Sequence, residues 1–167
     1  MSFSIYKLTD SIRQFFANPV ILSTLTSMVL AQLVKGIITL LPTRRKAGRK
    51  IKIGEVLEAL TWRTGGMPSS HAAVVASMTA AVGFNEGMGS NLFAVSLWIA
   101  LVVMRDAMGV RRATGLQGSG LNQLGRQVSD KLDIEFHSVK EIQGHVPLEV
   151  IVGAFMGILI SAAYAWL

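Results

Sequence analysis

Residues 20–41 form a predominantly apolar stretch that is long enough to cross a lipid bilayer. A helix of these 22 residues would be about 33 Å long, and the hydrocarbon core of a bilayer is about 30 Å thick. Asn18 and Pro19 precede the stretch, and a cap residue followed by proline is a common start of a helix. Pro42 and the basic residues behind it should end the helix. The stretch therefore predicts a first membrane-spanning helix.

The composition of the chain also indicates a membrane protein. Of its 167 residues, 51% are apolar and only 16% are charged, whereas soluble domains carry about 25% charged residues. A soluble fold of this length could not bury so much apolar surface. The chain has no cysteine, which excludes disulfides, cysteine metal ligands and a cysteine nucleophile.

A run of basic residues after the first apolar stretch predicts the orientation in the membrane. Such a run beside a spanning helix usually marks the cytoplasmic side, and it can bind anionic lipid headgroups. The net charge of +6 is concentrated in this run instead of covering one face, so we do not expect a nucleic-acid partner. The run contains six of the sixteen Lys and Arg residues: Arg44, Arg45, Lys46, Arg49, Lys50 and Lys52.

Three further apolar segments, at residues 69–84, 92–108 and 147–167, predict three more helices. In the first two, the continuous apolar part is about 20 Å long, which is shorter than the hydrocarbon core. These two either cross the membrane with their polar ends below the interface or form a re-entrant hairpin. Both alternatives remain open from the sequence.

Three amphipathic stretches lie between or before the apolar segments. Residues 1–18 and 116–135 place apolar side chains at helical spacing among polar ones, which is typical of interfacial helices. Residues 53–62 predict a further short amphipathic helix. We expect an all-α fold, a polytopic membrane helical bundle of about four transmembrane helices plus amphipathic interfacial helices. Residues 1–18 would be an interfacial N-terminal helix, and residues 19–167 a single transmembrane domain.

Counting the membrane crossings places the polar motifs at one end of this bundle. The first helix ends at the cytoplasmic face, the second begins there, the third returns there, and the fourth begins there. Lys35 and the segments 65–71, 105–112 and 144–149 would therefore gather near the cytoplasmic face. Ionisable residues at membrane depth are costly and by default indicate a functional site.

Several of these charged residues also have simple structural explanations. Lys35 could extend along its helix to the membrane surface. Arg105, Arg111 and Arg112 could anchor a helix end on the positive side of the membrane. Asp106 could serve only as their salt-bridge partner. Anchoring and salt bridges do not readily explain why these charged residues occur together with two histidines and a glycine-containing loop.

The segment Gly65-Gly66-Met67-Pro68-Ser69-Ser70-His71 predicts a phosphate-binding helix start. Free N–H groups and the positive end of the helix dipole favour an anion, and glycine lets the backbone approach it closely. Serine hydroxyls add donors, and an arginine fork suits a phosphoryl group. The candidate phosphate-binding residues are Lys35, Gly66, Ser69, Ser70, Arg111 and Arg112.

Two histidines in these segments fit phosphoryl transfer. His145 and Glu149 lie one helical turn apart, so the carboxylate can bind one imidazole nitrogen and leave the other as a nucleophile or base. His71 could then donate a proton to the leaving group. His137 lies among polar residues and is expected to be solvated. The chemistry needs no cofactor, and the sequence shows no metal-binding cluster.

These motifs resemble those of a known enzyme superfamily. Pro68-Ser69-Ser70-His71 is similar to the Pro-Ser-Gly-His signature of the type 2 phosphatidic acid phosphatases and vanadium-dependent haloperoxidases. His145-x-x-x-Glu149 resembles the His-x-x-x-Asp end of their last motif. With the segments 64–72, 105–112 and 144–145 together, the chain resembles a divergent branch, the acid phosphatase/vanadium-dependent haloperoxidase-related membrane proteins, over about residues 20–165.

The resemblance implies a role for each candidate residue. His145 would be the nucleophile that forms a phosphohistidine, Glu149 would orient it, and His71 would protonate the leaving group. Ser69 and Ser70 would lie beside the phosphate with Lys35, Gly66 and either Arg111 or Arg112. Arg105 and Asp106 would support the site.

We therefore expect a membrane phosphatase that hydrolyses a lipid phosphomonoester or diphosphate. The candidate substrates are phosphatidylglycerol phosphate, phosphatidic acid and a polyprenyl diphosphate. The protein would lie in a bacterial plasma membrane or a plastid membrane, with its site near the cytoplasmic face and possible self-association. The alternatives are a non-catalytic protein that binds anionic lipid or phosphate, and a subunit of a transport complex.

Overall fold

The computed structural model confirms the all-α fold, and its described residues contain no strand. It describes residues 5–47, 54, 66–141 and 144–167. Six helices occur in these residues: α1 Ile5–Ala17, α2 Pro19–Ala47, α3 Ser70–Glu86, α4 Asn91–Met108, α5 Val110–Leu132 and α6 Pro147–Ala165. The predicted short helix at 53–62 lies outside the described residues except for Gly54.

Three segments of the described chain are long and apolar enough to cross a membrane: Pro19–Ile38, Asn91–Leu132 and Pro147–Ala165. The first lies in α2, the second comprises α4 and α5, and the third is α6. Helix α3 has 17 residues, or about 25 Å, and is slightly shorter than these segments. The helices α1 and α5 match the two predicted amphipathic helices, and their position at a membrane surface stays a prediction.

Helix α3 occupies the centre of the bundle and packs against α2, α4 and α6. Its closest neighbour is α6, because small residues let the two backbones approach each other. A Cβ atom on Gly153 would collide with the Ser69 carbonyl oxygen, and one on Gly157 would collide with the Ala73 carbonyl oxygen. Such small residues at helix interfaces are characteristic of membrane bundles.

The register between α3 and α6 favours two crossing helices over a re-entrant hairpin. The Ser77 and Ser161 hydroxyls lie 2.8 Å apart, at the same sequence spacing as the glycine contacts near the start of both helices. The two helices therefore run parallel. Continued along both, this register places Ala81 level with Ala165, the end of α6, and α3 continues to Glu86. Helix α3 begins level with Ala154 and extends past the end of α6, so it reaches the far end of a helix that can span the bilayer.

The start of α3, the end of α4 and the start of α6 meet beside the middle of α2, at one end of the bundle. Helix α2 runs antiparallel to α6, since the Thr26 and Tyr164 hydroxyls lie 2.9 Å apart at the opposite end. Near the shared end, the Gln32 amide donates to the Ser70 hydroxyl at 3.4 Å. The C-terminus of α4 also lies there, because the Ala107 carbonyl accepts a hydrogen bond from the loop before α6. The predicted gathering of the polar motifs is therefore present in the fold.

Three helix boundaries differ from the sequence-based prediction. Helix α2 continues through Pro42 to Ala47, because a proline removes one backbone hydrogen bond without preventing the next turn from forming. Helix α3 continues past residue 84 to Glu86. Helix α5 begins at Val110, directly after Gly109, so that Arg111 and Arg112 are helical residues.

Single cysteines at Gly89 and Gly120 should report the two sides of the membrane. The chain has no native cysteine, and a side chain at either position would meet open space. If the site end of the bundle is cytoplasmic, a membrane-impermeant maleimide should label Gly89→Cys in intact cells. It should label Gly120→Cys only after lysis. The reverse pattern would contradict the predicted orientation and leave the bundle itself unchallenged.

Candidate active site

The first turn of α6 fixes the orientation of His145. Pro147 is the first helical residue, and the Glu149 carboxylate reaches back to accept the Val146 N–H at 3.2 Å. The same carboxylate oxygen lies 2.9 Å from His145 Nδ1. A carboxylate can only accept hydrogen bonds, so Nδ1 is the donor, and in a neutral imidazole Nε2 then has the lone pair. His145 is buried, with 6% of its surface exposed, and is thus a well-held imidazole with one basic nitrogen.

The backbone around His145 is tied to the junction of α4 and α5. The His145 N–H donates to the Ala107 carbonyl at 3.1 Å. Gly144 lies against the backbone of Arg112 so closely that a Cβ atom there would collide with it. This contact explains how the arginines of α5, which are distant in sequence, come to lie beside the histidine.

The start of α3 is joined to the same turn of α6. The Ser69 N–H donates to the Glu149 carbonyl at 3.0 Å. Ser69 is fully buried, and its hydroxyl accepts the Ala72 N–H at 3.4 Å as the helix cap. Ser70 is also buried and receives the Gln32 amide. The Ser69 hydroxyl therefore caps the helix as an acceptor and keeps its O–H as a donor, and its role in phosphate binding stays a prediction.

Lys35 is buried in the bundle, with 4% of its surface exposed. Its side chain passes Gly66, where an added Cβ atom would lie 3.6 Å from Lys35 Cε. Gly66 has a φ of 90°, a conformation that glycine adopts at little cost. The lysine therefore does not extend to the surface as an ordinary anchor; it lies beside the segment that leads into α3.

His71 is the residue at which the charged groups meet. It is an exposed side chain in the first turn of α3. Arg111, His145, Lys35 and Asp106 all lie near enough for their charges to act on it. The structure thus brings together both candidate catalytic histidines, a buried lysine and an arginine.

An ion pair orients Arg111. Its Nε lies 2.7 Å from Asp106 Oδ2, and both side chains are partly exposed. The contact uses Nε, which leaves the two terminal amino groups of the guanidinium for a ligand. Asp106 is thus a salt-bridge partner, as one of the sequence interpretations held.

Three other polar residues lie apart from this cluster or contribute little to it. Arg105 lines an apolar groove between α4 and α6. Arg112 is exposed and meets the site loop through its backbone. His137 Nε2 lies 3.5 Å from Glu135 Oε1, and the side chain is 86% exposed, as expected for a solvated histidine.

Sequence reasoning missed several residues that shape the site. Gln32, a polar residue one turn before Lys35 in an apolar stretch, was a usable signal for the contact with Ser70. Gly153 and Gly157 repeat at the four-residue spacing typical of closely packed membrane helices. Nothing in the sequence indicated the role of Ala107, because it contributes only its backbone carbonyl, a group that every residue has.

No group of three or more His, Asp or Glu side chains that could hold a metal ion occurs in residues 5–47, 54, 66–141 and 144–167. The arrangement instead offers one oriented basic histidine, a second histidine nearby and fixed cations. Such a set can attack a phosphorus atom, protonate a leaving oxygen and stabilise the negative charge.

Comparisons with known proteins agree with this description. A family model described as the Divergent PAP2 family matches residues 16–160. An uncharacterized membrane protein of Bacillus subtilis (strain 168), YuiD, is 34% identical over 164 residues, which cover 92% of this chain and 98% of the relative. No solved structure matches the chain significantly.

Proposed function

The chain belongs to the Divergent PAP2 family of membrane proteins, and from this premise we propose that it is a lipid phosphate phosphatase. The observation that carries the proposal is the 2.9 Å contact between the buried His145 and Glu149, which occupies Nδ1 and leaves Nε2 available as the nucleophile. This pair lies beside His71 and two cations at one end of a bundle of apolar helices. A phosphate group attached to a membrane lipid is the substrate that fits such a position.

In the first step, the lone pair of His145 Nε2 attacks the phosphorus atom. A nitrogen–phosphorus bond forms, and the bond from phosphorus to the lipid oxygen breaks. His71 donates a proton to that oxygen, so the lipid leaves as an alcohol, or as a monophosphate if the substrate is a diphosphate. Glu149 stabilises the positive charge that develops on the His145 ring.

In the second step, water hydrolyses the phosphohistidine. His71, now neutral, accepts a proton from the attacking water, and a new oxygen–phosphorus bond forms as the nitrogen–phosphorus bond breaks. Inorganic phosphate leaves, and His145 returns to its starting state. One histidine thus serves as acid and then as base, and no net proton is gained by the protein.

The cations and the helix start supply electrostatic stabilisation. The charges of Lys35 and Arg111 both act on His71, and a phosphoryl group beside His71 would be held in the same field. The N-terminus of α3 adds the positive end of its dipole. Such fixed charges act strongly where water is scarce, and they need no reorganisation during the reaction.

The substrate we infer is phosphatidylglycerol phosphate, phosphatidic acid or a polyprenyl diphosphate. Its tail would remain in the membrane while its headgroup enters the polar end of the bundle. The basic run, which begins in the last residues of α2, favours a cytoplasmic site in a plasma membrane or a plastid membrane. A glycerolipid intermediate made inside the cell fits that side best.

Phosphate release by the purified protein in liposomes tests this proposal. We expect release from at least one of the three lipids in the presence of EDTA, because the mechanism uses histidines and fixed cations. Activity that EDTA abolishes and magnesium restores would contradict the mechanism, and Asp106 and Glu149 would become candidate metal ligands. Tight binding of these lipids with no release would favour the non-catalytic alternative instead.

Replacing Arg111 by lysine should lower turnover and weaken inhibition by vanadate. Vanadate adopts the five-coordinate geometry of phosphoryl transfer, and a point charge cannot replace the planar fork of a guanidinium. Loss of one such group commonly costs about 10²–10³ in rate. We expect turnover by Arg111→Lys to fall by a factor within or somewhat below that range. Inhibition of the remaining turnover should need more vanadate than inhibition of the wild-type protein.

Arg126→Lys provides the matched control for this experiment. Arg126 also lies on α5, where its Nε donates to the Asn122 carbonyl at 3.2 Å, away from His71. It should leave turnover and the vanadate response unchanged. If both arginine variants behave alike, Arg111 has no particular role in binding phosphate.

A further inference from the structure

An apolar groove of about 820 Å³ lies between α4 and α6, on the side of the bundle where these two helices are not closely packed. Its volume is within the range of about 300–1,000 Å³ that is usual for ligand-binding cavities. All of its lining side chains are apolar except one, Arg105.

The groove begins beside the candidate active site. Pro147, at one end of the groove, follows His145 by two residues. Met108, also at this end, follows Ala107, whose carbonyl holds the His145 backbone. Arg105 lies one helical turn earlier, so the charged part of the groove is at the same end as the phosphate-binding residues.

From the site the groove extends toward the interior of the membrane. Its lining on α6 runs from Pro147 to Ile158, about 16 Å along the helix. This length is about half of the roughly 30 Å hydrocarbon core, or the depth of one leaflet. A second cavity of about 280 Å³ shares Met104, Ala154 and Ile158 with the groove and continues to Met88 near the other end of the bundle.

An apolar groove of this depth suits a hydrocarbon chain. The groove is lined by α4 and α6, and both helices are in segments apolar enough to cross a membrane. The groove would therefore be surrounded by the hydrocarbon chains of lipids. A lipid whose phosphate lies at His145 has its tail directed along the same helices. Arg105 supplies a cation at the depth where the polar and apolar parts of that lipid join.

We propose that this groove binds a hydrocarbon chain of the lipid phosphate that is cleaved at His145, and that it selects substrates by chain length. The inference rests on the proposed function, which supplies the position of the phosphate. Arg105 contacts a polar oxygen where the headgroup of the same lipid joins its chains and fixes the depth of the lipid, so it is a specificity residue and not part of the phosphate cradle around His71.

A bulky residue at the deep end of the groove tests the proposal. Ile158 lines the groove and is 44% exposed, while the adjacent Leu159 is 53% exposed and lines neither cavity. We expect Ile158→Trp to lower kcat/KM for an oleoyl lipid phosphate by about tenfold or more. The same variant should leave kcat/KM for the hexanoyl analogue nearly unchanged, because the short chain ends before Ile158. Leu159→Trp should affect neither substrate.

Two outcomes of this comparison overturn the proposal. Either the two tryptophan variants lose activity to the same extent, or Ile158→Trp lowers turnover of both lipids equally. Leu101→Trp, which fills the groove from α4, gives a second variant if Ile158→Trp does not reach the membrane in a folded form. It should show the same dependence on chain length.

A photoactivatable lipid phosphate with a diazirine near the end of its chain separates this proposal from the proposed function. In wild-type protein in nanodiscs, the probe should label groove residues such as Leu101 and Phe155. An excess of unlabelled lipid phosphate should suppress this labelling. If the protein releases no phosphate but shows this pattern, the phosphatase proposal fails and the groove stands. Labelling spread evenly over the lipid-facing side of α2 overturns the groove proposal.

Discussion

Replacing His145 by alanine should abolish phosphate release from every substrate. The Glu149 carboxylate holds His145 Nδ1, and the remaining nitrogen is the group we expect to bond to phosphorus. Loss of the nucleophile in another enzyme of covalent mechanism costs on the order of 10⁶ in kcat. Release from liposomes containing the lipid phosphate should therefore fall below detection, even with an activated leaving group.

Two controls make this result specific. His137→Ala removes an exposed histidine that lies outside the cluster and should change turnover little. Because His145 is buried, its variant must also be shown to fold, for which the thermal unfolding midpoint in detergent is a direct measure. A folded His145→Ala protein with substantial phosphate release would contradict the assignment of the nucleophile.

Replacing His71 by alanine should slow turnover by an amount that depends on the leaving group. General acid catalysis is typically worth about 10²–10⁴ in rate. A natural lipid alcohol leaves poorly without a proton, so we expect a loss in that range for lipid phosphates. An activated aryl phosphate needs less protonation, and the loss in formation of the intermediate should be much smaller. Rapid-mixing measurements with both substrates give the comparison.

His71 is exposed, so its replacement should disturb the fold less than that of His145. Equal losses with natural and activated substrates would argue against a role as the acid. Such a result would leave His71 as a binding group for the phosphate, in the field of Lys35 and Arg111.

The sequence predicted the helical bundle and the meeting of its polar segments because few features determine them. Apolar segments of spanning length define the helices, and the order of crossings puts Lys35 and the loops before α3 and α6 at one end. The pairing of His145 with Glu149 was also predictable, since a carboxylate in the first turn of a helix can reach back to a residue just before the helix with no help from the rest of the fold.

Other features depend on tertiary packing and were not predictable. Nothing local to Lys35 shows that it is buried and not extended to the surface; this depends on the approach of the segment containing Gly66. The Ser69 hydroxyl caps α3 by accepting the Ala72 N–H, a role that the sequence did not distinguish from phosphate binding, and that binding stays a prediction. Arg105 and Asp106 are adjacent, yet the helix directs one to the apolar groove and the other to Arg111.

The boundary predictions failed where proline was taken as a stop. Helix α2 continues beyond Pro42, because a missing N–H weakens a helix without ending it. A boundary near Gly109 also differs from the prediction. This residue alone separates α4 from α5, so Arg111 and Arg112, which lie between the two predicted helices, are held on a helix.

Trapping a covalent intermediate tests the central claim most directly, which is that this cluster transfers a phosphoryl group through His145. Wild-type protein should be mixed with a lipid phosphate that carries radiolabelled phosphorus, stopped in alkali within one turnover and digested. The account predicts label on the peptide that contains His145, stable in alkali and released by acid, as expected for phosphohistidine. Release of phosphate with no label on the protein, or label on another residue, would contradict it.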